Sequence, residues 1–565
     1  MEEAAGIEKK KEITLEIKHP EVLILLAFLL LVFYLELQVT LNSPIAFGDE
    51  GFHTTMARWI GTQKEYPVWE PTYGTPTDRA GYNHKPLWNI LEGSFYLLFG
   101  FNDAIVKVLT PFIASILLGL AVFVLVKKIY NKKIGLIASM IAITLPTIAT
   151  YAVLMYTDAL FTFYFTLFVL TFVLAFKTEK MKYWILTGIL AALALLTKNP
   201  GYAIFPFLVV AFLYTVYTKR SFFKSLKKFL ILIIVMVLIT SGFYLRSYAH
   251  YGSPDCYLDF LTDVSGCNIH SPYEHQYEFE GKTVEAGTEQ TIWRIGIISY
   301  FEFAYGYIWF VGMGILCGLL FMFLRKTKVD ILLLLTFFAL MPIFYLGARG
   351  RSEDLARYTL GWAPIISLVA ARYFVEAYNF IKKYQKYLAL SVFIFIIVAT
   401  LVGFDALGVK GYGISNKLFG YEKGGSTYAG LKDIKQFSPA FLEMCDWIKN
   451  NLEEDVRIGG TIWAGAAIYN CQRNFVGSGP DIVLSNNLDL ALSVLKMQGV
   501  THLYIQKFSI SWGNEKLRER TPISFVRILE NNTAHFEKIR ENGPSLDDCQ
   551  NMGGCDGTLL YKVTY

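Results

Sequence analysis

Charged side chains are scarce in this sequence. They account for 18% of its 565 residues, below the roughly 25% that soluble domains carry, while hydrophobic residues reach 54%. A wholly soluble protein is therefore excluded, and the composition indicates a polytopic membrane protein with room for one soluble domain. The small net charge of +5 argues against nucleic acid as a partner.

Several motifs are also absent. The first apolar run lacks a small-residue cleavage site and is too long for a signal peptide, so we expect it to remain as an anchor. No internal repeat is visible, which disfavours a transporter built from paired halves. The more polar C-terminal part has no phosphate-binding loop and no dinucleotide-binding motif, so an accessory role is predicted for it.

Long apolar runs recur along most of the chain, and each can cross about 30 Å of hydrocarbon. They predict about eleven spans, near 21–41, 103–126, 134–153, 158–176, 183–198, 201–218, 229–247, 300–324, 329–347, 358–376 and 387–406. Lysine-rich breaks follow every second span, which places them and the N terminus on the cytoplasmic side of a cell membrane. The outer face then receives the loops 42–102 and 248–299 and the chain beyond 407.

The pattern predicts a polytopic α-helical membrane protein with a C-terminal extracytoplasmic α/β domain. In the first outer loop, residues 50–62 and 86–99 carry aromatic residues at helical spacing, which predicts two helices lying in the membrane interface. Helix and strand patterns alternate in the last part of the chain. The predicted segments are a cytoplasmic tail at 1–19, a membrane module at 20–407, a linker at 408–437 and an α/β domain at 438–565.

Cysteine is rare, and six of the seven residues fall outside the cytoplasm by this topology. An even set in a non-reducing compartment indicates disulfides. The simplest pairing joins neighbours, namely Cys256–Cys267, Cys445–Cys471 and Cys549–Cys555. The sequence alone leaves the connectivity open, and unpaired thiols are the alternative.

A pair of acids, Asp49 and Glu50, follows the first span. One of these carboxylates could accept the proton of an attacking hydroxyl, and acids at the mouth of a membrane cavity often mark function. The alternative is helix capping, since an acid at the start of the 50–62 helix satisfies free backbone N–H groups and the helix dipole. Asp158 begins the fourth span at the same outer face, and the same two interpretations apply to it.

Basic side chains share that face: Arg58, Lys85 and Lys198. Together they predict a site that binds a lipid phosphate through charge-assisted hydrogen bonds of about 2.7–2.9 Å. Each could instead be an ordinary interfacial anchor with its stem along apolar surface. Arg357 and Tyr358 are further candidates for an anionic headgroup, because positive charge on the outer side runs against the usual bias. Neighbouring acids are their alternative partners.

Histidines are few, and no pair has the close spacing of a metal-binding motif. His84, together with the loop 248–299, is the candidate for a divalent metal site. A divalent metal therefore stays an open alternative, and no other cofactor is predicted.

The order of these residues resembles the GT-C membrane glycosyltransferases. The nearest branches are the glycosyltransferase-39-like enzymes, which include the aminoarabinose transferase of lipid A and the protein O-mannosyltransferases. The similarity covers residues 20–375 and rests on Asp49-Glu50-Gly51, Arg58, Lys85-Pro86-Leu87, Tyr156-Thr157-Asp158, Leu196-Thr197-Lys198, Phe243-Tyr244-Leu245, Tyr251-Gly252-Ser253-Pro254 and Arg357-Tyr358. His84 and His53 depart from the aminoarabinose branch, which has Glu and Tyr there, so the sugar stays open.

The resemblance implies transfer of a sugar from a polyprenyl or dolichyl phosphate donor at the outer face, with inversion of the anomeric centre. It implies that Asp49 is the catalytic base and that Asp158 is a second acid that holds or assists the acceptor. Arg58 and Lys85 would bind the donor phosphate, with Arg357 and Tyr358 as helpers.

Elementary chemistry agrees with this implication, because a lipid phosphate is already a competent leaving group. The protein then has to stabilise the charge on the phosphate and deprotonate a hydroxyl. We therefore predict an inverting glycosyltransferase for a hexose or pentose, with a lipid-linked or surface glycan, a glycolipid or a protein hydroxyl as acceptor. The alternatives are a transporter or flippase of lipid-linked sugars and a non-enzymatic membrane receptor.

Overall fold

The fold is taken from a computed structural model. It describes residues 20–42, 50–71, 76–80, 85–255, 309–325, 327–347, 360–388, 391, 394, 439–460, 464–477, 488–497, 499–507, 510–511, 521–551 and 555–565. The predicted loop 248–299, the predicted linker and the last predicted span lie largely outside these residues.

The membrane module is helical, with one short antiparallel strand pair between its second and third helices. Its helices are α1 (Pro20–Asn42), α2 (Glu50–Gln63), α3 (Pro86–Phe99), α4 (Asp103–Ile129), α5 (Lys132–Thr144), α6 (Pro146–Ala152), α7 (Thr157–Thr178), α8 (Met181–Leu195), α9 (Ile204–Lys219), α10 (Phe222–Tyr251), α11 (Trp309–Arg325), α12 (Lys328–Gly347) and α13 (Ala363–Tyr384). The strand pair is β1 (Trp69–Pro71) with β2 (Pro76–Ala80). The two short helices predicted at residues 50–62 and 86–99 are confirmed as α2 and α3.

Several helices are long and apolar enough to cross a membrane. Within the described residues there are six, namely Glu21–Leu41, Asp103–Ile129, Thr157–Thr178, Asn199–Lys219, Phe222–Tyr251 and Leu360–Tyr384. Met181–Leu195 and Gly314–Arg325 are apolar but shorter. The chain is thus a helical membrane protein, and the count of eleven spans stays a prediction.

The predicted span 134–153 is wrong as a single helix. It is divided at Leu145, whose backbone leaves the helical region with ψ 134°. The cause is Pro146, since a proline ring disfavours the helical conformation of the residue before it. After α6 ends at Ala152, residues 153–156 form a short non-helical segment that leads into α7.

Aromatic packing fixes the central helix α7. The ring centroids of Phe168 and Phe207 are 5.0 Å apart, and those of Phe172 and Trp184 are 5.4 Å apart. All four rings are buried. Because α7 begins at Thr157, this packing also holds the N-terminal end of α7, where Asp158 is found.

The C-terminal part is an α/β domain, as predicted. Its elements are α14 (Pro439–Asn451), β3 (Arg457–Gly460), α15 (Ala464–Cys471), β4 (Asn474–Gly477), α16 (Leu488–Met497), β5 (His502–Gln506), β6 (Ile510–Ser511), β7 (Thr521–Pro522), α17 (Ile523–Asn531), β8 (Phe536–Asn542), α18 (Leu546–Asn551) and β9 (Thr558–Val563). The sequence analysis predicted alternating helices and strands here, but it did not predict α15, β4, β6, β7 or α18.

A mixed sheet forms the centre of this domain, with strand order β4-β3-β5-β9-β8. The first three strands are parallel, with Ile458 beside Phe475 and His502, whereas β9 runs antiparallel to β5 with Tyr504 beside Leu560. One face packs against α14 and α15, and the other packs against α16 and α17.

Two of the predicted disulfides are present, Cys445–Cys471 and Cys549–Cys555. The first joins α14 to the end of α15, so it holds both helices against the same face of the sheet. The third predicted pair, Cys256–Cys267, lies outside the described residues.

Candidate functional site

Glu50 is the first residue of α2, and its side chain is buried. Its carboxylate accepts a hydrogen bond of 2.8 Å from the backbone N–H of Met155. An acid in the first turn also interacts favourably with the helix dipole. The contact fixes the start of α2 against the segment that leads into α7. Asp49 immediately precedes Glu50 in the sequence and lies outside the described residues.

Helices α2 and α3 are held close together. His53 Nδ1 and Asn89 Oδ1 are 2.9 Å apart, and the His53 ring meets Tyr156 edge-on with centroids 6.3 Å apart. Two glycines, Gly61 and Gly93, allow the approach. A Cβ on Gly61 would lie 2.9 Å from Tyr96 Cβ, and a Cβ on Gly93 would lie 2.8 Å from Ile60 Cβ and 3.0 Å from the backbone oxygen of Ala57. The position of the first residues of α2 therefore depends on α3.

Asp158 lies in the first turn of α7 and forms an ion pair with Lys198, which follows α8. The Asp158 side chain is fully buried, and that of Lys198 is 12% exposed. A buried pair of this kind holds its two segments in a fixed relation, because loss of either charge leaves the other in a poorly solvated place. Glu50 and Asp158, two of the three acids predicted near the outer face, therefore have defined partners.

Lys85 stands immediately before α3, whose first residue is Pro86. Proline is favoured at this position, since the first helical N–H has no partner within the helix. The next N–H, that of Leu87, donates to the carbonyl oxygen of Leu196 at 2.9 Å. This bond holds the start of α3 beside the end of α8, two residues before Lys198.

The Lys85 ammonium lies in an aromatic cage with one carboxylate. It donates to the Tyr202 hydroxyl at 2.8 Å and to Asp255 Oδ2 at 2.5 Å. The rings of Tyr202, Phe243 and Tyr244 have centroids 5.0, 5.4 and 5.2 Å away, which adds cation–π attraction. The side chains of Lys85 and Asp255 are 1% and 6% exposed, so the pair is removed from solvent.

Arg58 has a different set of partners. The Arg58 Nη2 atom lies 2.9 Å from Asp103 Oδ2. The same carboxylate also accepts hydrogen bonds from the hydroxyls of Tyr96 and Tyr469. The Arg58 guanidinium is 4.9 Å from the centroid of the Tyr469 ring. Burial acts to lower the pKa of Arg58, but Asp103 outweighs this effect and the pKa is raised. Because Tyr469 belongs to α15, this cluster joins α2 to the C-terminal domain.

The contacts connect most of the predicted site residues. Glu50 bonds the segment before Asp158, Asp158 pairs with Lys198, and the end of α8 bonds the start of α3 beside Lys85. In the part of the chain that the structure describes, Arg58 contacts Asp103 and Tyr469, whereas Lys85 contacts Tyr202 and Asp255. The remaining candidates, His84, Arg357 and Tyr358, lie outside the described residues.

Three acids of this region were not singled out from the sequence. Asp255 comes one residue after the predicted segment Tyr251–Pro254, so it could have been included with that motif. Asp103 begins α4, where an acid is ordinarily explained by the helix dipole. Glu92 is fully buried in α3, and burial together with the carboxylates of Glu50 and Asp103 raises its pKa well above the usual value.

A divalent metal site was an open alternative in the sequence analysis. Among those residues, no group of three or more His, Cys, Asp or Glu side chains could hold a metal ion. The metal candidate His84 is not among them, so a divalent metal remains a prediction.

The helical membrane module and the C-terminal α/β domain share their fold with solved structures of an oligosaccharyltransferase and of ArnT. Residues 83–244 match the family model described as dolichyl-phosphate-mannose-protein mannosyltransferase. This match and the solved structures below confirm the resemblance that the sequence predicted. No curated protein matches the chain at the level of sequence.

Solved structures share the fold at low identity. The oligosaccharyltransferase of Archaeoglobus fulgidus, in complex with Zn and sulfate, is 13% identical with a TM-score of 0.58, and the match covers 85% of this chain and 68% of that one. The archaeal oligosaccharyltransferase AglB of Archaeoglobus fulgidus, in complex with an inhibitory peptide and a dolichol-phosphate, is 13% identical with a TM-score of 0.56, and the match covers 86% of this chain and 69% of that one. ArnT from Cupriavidus metallidurans, bound to undecaprenyl phosphate, is 13% identical with a TM-score of 0.56, covering 96% and 98%.

Proposed function

We propose that this chain is an inverting glycosyltransferase that moves a sugar from a polyprenyl or dolichyl phosphate to an extracytoplasmic acceptor. The observation that carries the proposal is a series of three contacts that brings the segments of Glu50, Asp158, Lys198 and Lys85 together: Met155 N–H with Glu50, Asp158 with Lys198, and Leu87 N–H with Leu196. It joins an acidic region to a buried cation, and these are the two groups that transfer from a lipid phosphate to a hydroxyl requires.

Asp49 is the proposed base. Its carboxylate takes the proton of the acceptor hydroxyl while the acceptor oxygen bonds to the anomeric carbon. The bond between that carbon and the phosphate oxygen breaks, and its electron pair leaves with the polyprenyl phosphate. Glu50 holds the start of α2, and Asp158 is proposed to hold or assist the acceptor beside Lys198. A single displacement gives inversion at the anomeric carbon.

Lys85 is the proposed contact for the donor phosphate, with Lys198, Arg357 and Tyr358 as further candidates. Support comes from the relatives, since ArnT and AglB have been solved with undecaprenyl phosphate and dolichol-phosphate. Arg58, predicted for the same role, is engaged with Asp103 and Tyr469. We therefore propose that Arg58 positions α2 instead.

The proposed location is a cell membrane, with the N terminus cytoplasmic and the C-terminal domain outside. The contact between Tyr469 and Asp103 supports this orientation, because it joins the C-terminal domain to the end of the first outer loop. The proposed partners are the lipid-linked donor, a glycan, lipid or protein acceptor, and the bilayer.

A transfer assay tests the function. Purified full-length protein is incubated with synthetic polyprenyl-phosphate mannose and with glycan, glycolipid or peptide acceptors, and free polyprenyl phosphate is measured. We expect release that depends on an acceptor, and a product of opposite anomeric configuration by NMR. Asp49→Asn should slow release at least about a hundredfold, since general base catalysis commonly contributes that much.

The matched control is Asp455→Asn, the same chemical change at an exposed turn of the C-terminal domain. It should transfer at the wild-type rate. Full activity of Asp49→Asn would remove Asp49 from its role. A protein that moves the intact donor between leaflets without releasing polyprenyl phosphate would instead be a flippase, and the proposal would fail.

A further inference from the structure

The partner of Lys85 is an acid, although the proposed ligand of Lys85 is also an anion. Asp255 lies at hydrogen-bonding distance from the ammonium, and both side chains are almost fully buried. A lysine enclosed in this way needs a counter-ion, because an ammonium taken out of water is strongly destabilised when it stands alone. In the ligand-free protein Asp255 supplies that counter-ion.

The aromatic cage limits where a second anion can bind. An ammonium has three N–H donors, of which one meets the Tyr202 hydroxyl and one meets Asp255. The rings of Phe243 and Tyr244 have centroids 5.4 and 5.2 Å from the ammonium, and ring faces attract the cation but offer no strong acceptor. A phosphate oxygen bound to the third N–H would lie close to the Asp255 carboxylate, so the two anions repel each other and compete for the same cation.

The position of Asp255 allows its carboxylate to move away from Lys85. It follows α10 by four residues and belongs to no helix or strand. Within the segment the Ser247 hydroxyl donates to the Ser253 carbonyl at 3.1 Å, and the Asp255 N–H donates to the Ser253 hydroxyl at 3.4 Å. Moving the carboxylate away from Lys85 would not require α10 to unwind.

The two lipids of the reaction differ in charge. A sugar-bearing polyprenyl phosphate is a phosphodiester with one negative charge, whereas the released polyprenyl phosphate is a monoester that carries close to two at neutral pH, as other phosphomonoesters do. A neighbouring carboxylate repels the second lipid more strongly than the first. Asp255 therefore acts against retention of the product.

We propose that Asp255 is a competing anion that holds Lys85 in the empty enzyme, yields it to the donor phosphate and takes it back from the product. Asp255 thereby limits inhibition by polyprenyl phosphate. This inference rests on the proposed function, since it assumes that Lys85 is the phosphate contact.

Binding of polyprenyl phosphate itself provides the test, because it needs neither sugar nor acceptor. The full-length protein in nanodiscs of neutral lipid is titrated with undecaprenyl phosphate, and the dissociation constant is compared among variants. Asp255→Asn should bind about tenfold more tightly, because the phosphate then no longer competes with a carboxylate for Lys85. Asp255→Glu keeps the competing charge and should not show this gain.

Two further variants separate a competing anion from a structural support. Lys85→Met should weaken binding about tenfold, and the Lys85→Met/Asp255→Asn double variant should bind no more tightly than Lys85→Met alone. In the transfer assay, Asp255→Asn should lower the inhibition constant of polyprenyl phosphate more than it lowers the KM of the donor. A merely structural Asp255 would weaken both.

The outcomes are distinguishable. If Asp255→Asn binds undecaprenyl phosphate equally or more weakly while Lys85→Met loses affinity, the competing-anion inference is overturned and the proposed function stands. If the wild-type protein does not bind the lipid, or if Lys85→Met binds it normally, the proposed phosphate site fails and this inference fails with it.

Discussion

At the residue scale, variants of the ion pair between Asp158 and Lys198 can distinguish a chemical role of Asp158 from a structural one. Asp158→Asn removes the carboxylate that faces a mostly buried ammonium, so we expect a loss of about 3 kcal/mol in stability together with a loss of transfer. The double variant Asp158→Asn/Lys198→Met removes both charges and should regain most of the stability. If Asp158 takes part in the reaction, the double variant remains inactive. Thermal unfolding and polyprenyl phosphate release measure the two effects.

The control for this pair is Asp547→Asn, which breaks an exposed ion pair with Arg527. Exposed pairs contribute at most about 1 kcal/mol, so both stability and transfer should stay close to wild type. A double variant that transfers sugar at the normal rate would show that Asp158 and Lys198 only hold α7 and α8 together.

The sequence singles out charged residues beside apolar runs, but it does not show how they pair. Asp49, Asp158, Lys85 and Lys198 are conspicuous because charges are costly beside apolar spans. Their partners depend on distances across the fold, and no local pattern reports these. Asp255 is an example, since it lies 170 residues along the chain from Lys85.

At the element scale, the crossing of α2 and α3 depends on small residues. Gly93→Ala would put a Cβ 2.8 Å from Ile60 Cβ and 3.0 Å from the backbone oxygen of Ala57, so α2 has to shift. Forcing an extra methyl group into a packed contact costs about 1–3 kcal/mol. We expect a lower unfolding temperature and slower transfer, because α2 begins at Glu50.

Gly242→Ala is the matched control, since a Cβ at Gly242 in α10 meets nothing within 4 Å. The same substitution there should be neutral or stabilising by up to about 1 kcal/mol, because alanine favours helix. Equal effects of the two variants on transfer would contradict the role given to the crossing.

Helices with periodic aromatic residues were predicted to within about a residue of the observed α2 and α3 ends, because the period of an amphipathic helix is a local property. The break at Leu145 was missed because apolar content continues through it, although Pro146 was the local signal. The helix Ala464–Cys471 was missed because small residues dominate its first turn and give no amphipathic stripe. Its place becomes apparent only when β3 and β4 pair.

At the scale of the whole molecule, similarity in sequence and similarity in fold cover different parts of the chain. The family match ends at residue 244, whereas the fold shared with ArnT extends over 96% of the chain. The sequence analysis accordingly gave the C-terminal domain an accessory role. The contact between the C-terminal domain and α2 is made by Tyr469. This residue belongs to no motif and lies far along the chain from Asp103.

Tyr469→Phe tests whether the C-terminal domain positions α2. The change removes one hydrogen bond to the Asp103 carboxylate, and bonds to charged groups contribute about 1.5–3 kcal/mol. We expect faster hydrogen exchange in α2 and a kcat lowered several-fold. Affinity for polyprenyl phosphate should be unchanged, because the Lys85 cage shares none of its described contacts with Tyr469.

The control is Tyr217→Phe, which removes the same hydroxyl from a side chain that is 79% exposed on α9. It should leave exchange in α2 and kcat at their wild-type values. If Tyr469→Phe instead weakens the binding of polyprenyl phosphate, Arg58 acts on the phosphate, as the sequence predicted. In that case the C-terminal domain would support donor binding rather than the position of α2, because Tyr469 is the residue that joins the domain to Arg58.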